Sequence, residues 1–368
     1  MKKKNILKTS LKIIGIVLGI LILALLAYIV YLYASYYRIE DNQELVVEAP
    51  VDDTTTGAVA VLATDTEYSA VTYNIGFGAY LPDYSFFMDG GTSSWAESPE
   101  TVQYAINGAG ELVKSLDPDF ALIQEIDLDA TRSYHTDEYE MLRNLLPEYT
   151  TVFAQNYDSA FLFYPFTQPH GSSRAGLGLF SKYPVSSALR RSFPISTSFS
   201  KFFDLDRCYS VSRIPVDNGK ELVIFNLHMS AYGNSDAIRK GQIEMLCNDM
   251  AKEYEAGNYV LCGGDFNHDL KASEEDAENC ESWAFPFPRT ELPEHFAFCL
   301  DLLSSEEKEA LWNSARNADM EYVPGVTYTV TLDGFIISDN IECLSYENVN
   351  TGYSYSDHDP VKMEFVLK

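Results

Sequence analysis

Six short segments of this chain place polar side chains where an apolar run stops. VTYNIG carries Asn74, and FALIQEID carries Gln124 and Glu125. LVIFNLHMS carries Asn226 and His228; YVLCGGDFNHD carries Asp265 and Asn267 after two glycines. TLDGFIIS begins with Asp333, and YSDHDPV supplies Ser356, Asp357 and His358. Taken singly, each has a bland explanation: an Asn or Asp after a strand is commonly a turn residue, because its side chain bonds the local backbone. Taken together, they bring carboxylates, carboxamides and imidazoles. Carboxylate oxygens suit a hard cation such as Mg2+. Phosphate esters repel nucleophiles through their own negative charge, so their hydrolysis calls for a cation on the phosphate oxygens and for proton handling nearby.

The elements that must carry these residues follow from periodicity. Short apolar runs predict strands at Ala70–Ile75, Phe120–Gln124, Glu221–His228, Tyr259–Gly263, Gly334–Ser338 and Val361–Val366. Apolar residues at three- and four-residue spacing predict helices at Glu100–Leu116 and Ala237–Tyr254. Strands alternating with helices, without internal repeats, give one α/β domain. Polar residues at strand ends in such folds converge on a ligand crevice. Two aromatic, proline-containing stretches, Phe161–His170 and Trp283–Arg289, read as long loops. The first could meet lipid, stack on a substrate ring, or simply pack.

The ordered set TYNIG, LIQEID, GLGLFSKYPV, FNLHMS, GGDFNHD, LDGFIISDNI and SDHDPV resembles the endonuclease/exonuclease/phosphatase superfamily, from about residue 70 to the C-terminus. The resemblance implies a four-layer α-β-β-α sandwich of two mixed sheets and Mg2+-dependent hydrolysis of phosphate esters, with Mn2+ as a substitute. It implies Glu125, Asn74 and Asp357 on the metal side. Asp265 and Asn267 would orient the attacking water, and His358 would be oriented by Asp333. His228 would donate to the phosphate or leaving group, and the acid and base roles of the two histidines stay open. The FNLH form resembles the deoxyribonuclease, sphingomyelinase and lipid-phosphatase branches rather than abasic-site endonucleases. Arg174, just before GLGLFSKYPV, and Asn226 are candidate substrate contacts. His170 and His268 are expected to be bystanders. The GDxH and GNH motifs of calcineurin-like phosphatases are missing.

Charge and the N-terminus bound the partners. The chain has 54 acidic and 26 basic residues, a net charge of -28. Five lysines and no acid precede residue 34, so the remainder is more acidic still. Such a body disfavours polyanions, nucleic acid included, unless a local device meets the phosphate. Lys2, Lys3, Lys4, Lys8 and Lys12 precede an uncharged apolar run, Ile13–Tyr33. As a helix this run spans about 31 Å, close to a bilayer's hydrocarbon thickness. The expected organisation is a basic cytoplasmic segment at 1–12, a single-pass membrane helix at 13–33, a linker at 34–66 and an extracytoplasmic catalytic domain at 67–368. A cleaved signal peptide is the competing reading; its apolar region should be shorter and end at a small-x-small site. An edge strand at 59–63 is a further option. The six cysteines have no CxxC spacing, and their pairing is open. No protein partner is evident. A surface nuclease and a catalytically inactive scaffold on the same fold are the alternatives to a small-molecule or lipid-headgroup hydrolase.

Overall fold

A computed structural model describes residues 2–52, 61–202, 204–231, 236–273 and 283–368. Two units are distinct: an N-terminal segment to Arg38, and a body from Ile39 to Lys368. The first is a helix, α1 (Lys2–Ser35). Its stretch Ile6–Ser35 has a mean hydropathy of 3.1 and is long and apolar enough to cross a membrane.

In the body, β1 (Gln43–Glu44) and β2 (Val47–Glu48) come first, then β3 (Glu67–Asn74), α2 (Pro99–Leu116), β4 (Phe120–Ala130), α3 (Glu138–Leu145), β5 (Thr150–Asp158), β6 (Ser173–Ser181) and β7 (Ser187–Ser192). They are followed by β8 (Cys208–Pro215), β9 (Glu221–His228), α4 (Asp236–Glu255), β10 (Tyr259–Asp265), β11 (Phe296–Phe298) and α5 (Ser305–Ala310). The chain ends with β12 (Ala315–Arg316), β13 (Thr329–Val330), β14 (Asp333–Ser338), β15 (Ile341–Asn348) and β16 (Val361–Leu367). Two seven-stranded mixed sheets result, in the orders β1-β7-β8-β9-β10-β14-β11 and β15-β16-β3-β4-β6-β5-β2.

Local chemistry explains the elements. In β16, Val361, Met363, Phe365 and Leu367 alternate into the core while Lys362 and Glu364 stay half-exposed, the period of a strand with one buried face. Helix α2 opens on Ser98, whose hydroxyl accepts from the Thr101 amide, with Pro99 in the first turn. It stops at Asp117 in a left-handed conformation before Pro118. Its Val102, Ile106, Ala109 and Val113 pack with Tyr73, Ala121 and Ile123 beneath it. Ile243, Leu246 and Met250 of α4 join the larger core shared by both sheets.

Each sheet has one parallel pair at its centre, β3 with β4 and β9 with β10. Parallel strands run the same way, so both pairs end together. Asn74 pairs with Gln124, and His228 with Asp265. The antiparallel neighbour β14 starts opposite the same point, pairing Asp333 with Asp265.

The stretch expected as a linker is partly built into the body. Ile39 is buried, β1 pairs with β7, and β2 pairs with β5. Leu62 is buried and bridges to Val216. Residues 59–60 of the optional edge strand, and Cys280, lie outside the described residues. Among the described residues, Cys208, Cys247, Cys262, Cys299 and Cys343 are free thiols.

Candidate active site

Backbone irregularities at the strand ends aim the polar residues. The register of β4 against β6 shifts between Ile123 and Ile126, and Glu125 there takes a positive φ of 56°. A bulge of this kind turns a side chain out of the strand's alternation. Gly264 has φ +147, and a Cβ on it would lie 2.0 Å from the Leu227 carbonyl oxygen. Only glycine lets β10 run this close to β9 and deliver Asp265 beside His228. Asn267 follows at φ 50°, its amide donating to Asp265 Oδ1 at 2.8 Å.

These residues line one cavity of about 430 Å³. Asn74 Nδ2 donates to Glu125 Oε1 at 3.2 Å and to Asp265 Oδ2 at 3.1 Å. His228 Nε2 lies 3.4 Å from Asp265 Oδ2 and 4.0 Å from Glu125 Oε1. His358 Nδ1 is 2.7 Å from Asp333 Oδ2, which also accepts from Ser314 Oγ at 2.7 Å. Asp357 lines the same cavity and accepts from Ser356 Oγ at 3.2 Å.

Burial and neighbours set the charges. Burial pushes the Asp265 carboxyl up to about 7, the His358 cation opposing and Asp333 adding to the rise. Burial also raises Glu125 and Asp357, against the pull of Arg132 on the first and of His358 on the second. For His358, burial disfavours the cation, but the charge and hydrogen bond of Asp333, with Asp265 and Asp357, outweigh it and lift its pKa well above 6.5. His228 goes the other way: burial, then the cations Arg207 and His358, hold it well below 6.5.

The donor set fits a divalent cation. Glu125, Asp265 and Asp357 line the cavity, and behind His358 the Oδ1 of Asp333 is buried without a hydrogen-bond partner. Three candidate donors, one atom each of Asp265, Asp333 and His358, lie within 4.8 Å of one another, a set distinct from the Glu125 and Asp357 carboxylates. Crowded carboxylates with raised affinity for protons are what an ion of opposite charge would relieve.

Three arginines outside the expected site set line the cavity, of which only Arg207 was a basic-cluster candidate in the sequence. Arg132 forms a two-toothed pair with Asp127, at 3.1 and 2.8 Å, and its guanidinium sits 3.7 Å over the Phe77 ring. Arg316 donates to the carbonyls of Tyr80, Leu81 and Asn317. Arg207 is 6% exposed, and its Nε and Nη1 are buried without a partner. No strand-end motif marks these three positions.

Two expected substrate contacts lie elsewhere. Arg174 is exposed, bonded to Asp129 at 3.1 Å, and absent from the cavity lining. Asn226 is fully buried between the sheets; its Oδ1 accepts from Gln124 Nε2 at 2.8 Å and its Nδ2 donates to the Gly178 carbonyl at 3.0 Å. Of the two expected bystanders, His268 bonds the Phe266 carbonyl outside the lining, whereas His170 does line the cavity.

The family model described as "Endonuclease/Exonuclease/phosphatase family" matches residues 71–302, well over half of the chain. The chain belongs to this family, whose members are in general phosphoester hydrolases that use divalent metal ions. Solved structures agree on the fold. An endonuclease/exonuclease/phosphatase from Beutenbergia cavernae is 15% identical, with a TM-score of 0.54 over 82% of this chain and 72% of that one. One from Bacteroides vulgatus is 17% identical, with a TM-score of 0.53 over 83% and 100%. The TDP2 of D. rerio, solved with single strand DNA product, is 14% identical, with a TM-score of 0.54 over 82% and 99%. No curated protein sequence matches the chain.

Proposed function

We propose that this chain is a membrane-anchored, extracytoplasmic phosphoesterase, a phosphodiesterase or phosphatase acting on a small-molecule or lipid-headgroup ester. The observation that carries the reading is the meeting of Glu125, Asp265, His228 and His358 in one cavity, with Asn74 and Asp333 hydrogen-bonded to them and Arg207 in the same lining. Glu125, Asn74 and Asp357 would hold a divalent cation, Mg2+ or Mn2+. When bound, such an ion neutralises phosphate oxygens and favours attack at phosphorus.

The chain's own residues supply the rest. Asp265 accepts a hydrogen bond from the attacking water and orients it, and Asn267 holds Asp265 in place through its amide. His358, kept protonated by Asp333, donates to an anionic oxygen. His228, kept neutral, exchanges a proton with the water or the leaving group. Arg207, in the cavity lining, brings its guanidinium to a phosphate oxygen, the role first expected of Arg174. The apolar α1 helix and the lysines at its start support anchoring with the body outside.

A nuclease is the second reading. The fold is shared with a TDP2 solved with single strand DNA product, and Arg132, Arg207 and Arg316 bring guanidinium groups into the cavity lining. The net charge of -28 weighs against it. The test is a panel of plasmid, RNA, a phospholipid and a chromogenic phosphodiester with Mg2+, with a chelator control and Glu125→Ala and His358→Ala variants. Turnover of the small or lipid esters, lost with chelator and in both variants, is expected. Turnover surviving both substitutions overturns the site, and preference for nucleic acid overturns the substrate class.

A further inference from the structure

The segment from Ser159 to Ser173 contains no Asp, Glu, Lys or Arg, in a chain where 22% of residues are charged. Its base is pinned. Leu162 and Gly171 exchange backbone hydrogen bonds at 2.9 and 3.0 Å. Ser94 Oγ donates to the Gln168 carbonyl at 2.6 Å, and Trp95 Nε1 to the Pro169 carbonyl at 2.7 Å. The tip between these ties is nevertheless apolar and open to solvent, with Phe163, Tyr164 and Phe166 at 50%, 61% and 84% exposure. Three large exposed apolar side chains held on a fixed base are what a docking surface presents.

This tip is continuous with the catalytic cavity. The Tyr164 ring lies 5.9 Å from Phe87, which lies 6.0 Å from His170. His170, Phe86 and Met88 line the cavity, and Met88 is 56% exposed. An apolar path therefore runs from the exposed tip to the phosphate-handling residues. Aromatic side chains favour the boundary between lipid headgroups and acyl chains. A segment without carboxylates on an otherwise acidic body also lowers repulsion from a bilayer surface there.

We infer that the 163–166 tip docks on a lipid bilayer and presents a lipid phosphate ester to the cavity. The inference rests on the reading of the chain as a membrane-anchored phosphoesterase, and it narrows that reading to substrates embedded in the membrane.

The test uses the full chain reconstituted into phosphatidylcholine bilayers. Phe166→Trp should add indole fluorescence that brominated phosphatidylcholine quenches. Val326→Trp, on a different exposed loop, should stay bright. Phe163→Ser with Phe166→Ser should lower kcat/KM on a bilayer phosphodiester lipid about ten-fold or more, since two buried aromatic contacts with the lipid are lost. Hydrolysis of a soluble chromogenic phosphodiester should be unchanged, because neither side chain lines the cavity. Quenching no greater than at Val326→Trp overturns the inference, as does equal loss on both substrates. An indole untouched by bromolipid but shielded from iodide would mean that a second copy of the chain covers the tip, and this also overturns it. If no ester is hydrolysed while quenching persists, the phosphoesterase reading fails and the docking stands. Release of the chain by alkaline carbonate would defeat the anchor alone.

Discussion

His228, at the end of β9, and His358, just before β16, face the same cavity from different strands, and each lies within 4 Å of Asp265 Oδ2. Both are buried, at 3% and 7% exposure. Burial alone would leave both neutral, yet their pKa values move in opposite directions. The difference lies at Nδ1. On His358 it meets Asp333, which Ser314 holds in place. On His228 it is buried without a partner, with the Arg207 cation nearby. Two imidazoles of similar depth are thus given different charges by the groups behind them, one suited to donating and the other to accepting.

The most damaging way to disturb this contrast is to remove the charged member. His358→Ala should lower kcat by about 10³-fold or more, in the upper part of the range for a positioned proton-handling group. Asp333→Asn should lower kcat by nearly as much while leaving the imidazole in place. NMR titration should show the His358 pKa falling toward or below 6.5 in that variant; a pKa unchanged by Asp333→Asn would defeat the assigned cause. His228→Ala should cost about 10²-fold in kcat, by a similar factor for substrates with good and poor leaving groups, as for loss of a proton acceptor.

Arg207→Ala is expected to act mainly through KM, raising it about ten-fold for loss of a charge-assisted hydrogen bond to phosphate. It should also let the His228 pKa rise, as one of the cations depressing it is gone. A change in kcat without a change in KM would place Arg207 outside substrate binding. The smallest effect concerns a third histidine. Burial, then Arg132, holds His170 at about 3, so the unfolded chain, with its ordinary value near 6.5, binds the proton more readily. The neutral form's stabilising contribution is complete above 6.5 and is lost as pH falls from 6.5 toward 3. The slope is about 1.4 kcal/mol per pH unit. Unfolding free energies of wild type and His170→Gln, from urea titrations, should therefore converge by roughly 2 kcal/mol between pH 7.5 and 5; parallel pH profiles would refute the assignment.

Much of this was legible in the residues. The Glu221–His228 strand was read to its ends. The Tyr259 strand and both long helices were placed within two residues. The strand-end reading picked out Asn74, Glu125, Asp265, Asp333 and His358, which lie close together where the parallel pairs end and where the antiparallel β14 and β16 begin. It failed for Asn226, which shares a face with His228 but lies one alternation deeper, between the sheets instead of at the rim. Phe120–Gln124 was drawn too short because β4 continues through its bulge to Ala130. Arg132 and Arg316 went unseen, and Arg207 stood out only as part of a basic cluster with Arg213, since a guanidinium reaches far from its backbone and spacing along the chain does not reveal where it arrives. The two aromatic loops look alike in composition, yet Ala284 and Phe287 are buried while Phe163 and Phe166 are not; only the packing of distant segments separates them.

The amide clasp between Gln124 and Asn226 links a central strand of one sheet to a central strand of the other. Glu125 follows directly on one side of that clasp, and His228 lies two residues beyond it on the other. Sliding one sheet past its partner by a single residue, about 3.3 Å, would break the clasp and carry the Glu125 carboxylate away from the His228 imidazole. Neither half of the sandwich is then a partial catalyst. Hydrolysis is a property of their alignment, and turnover can report on that alignment in variants whose spectra still look native.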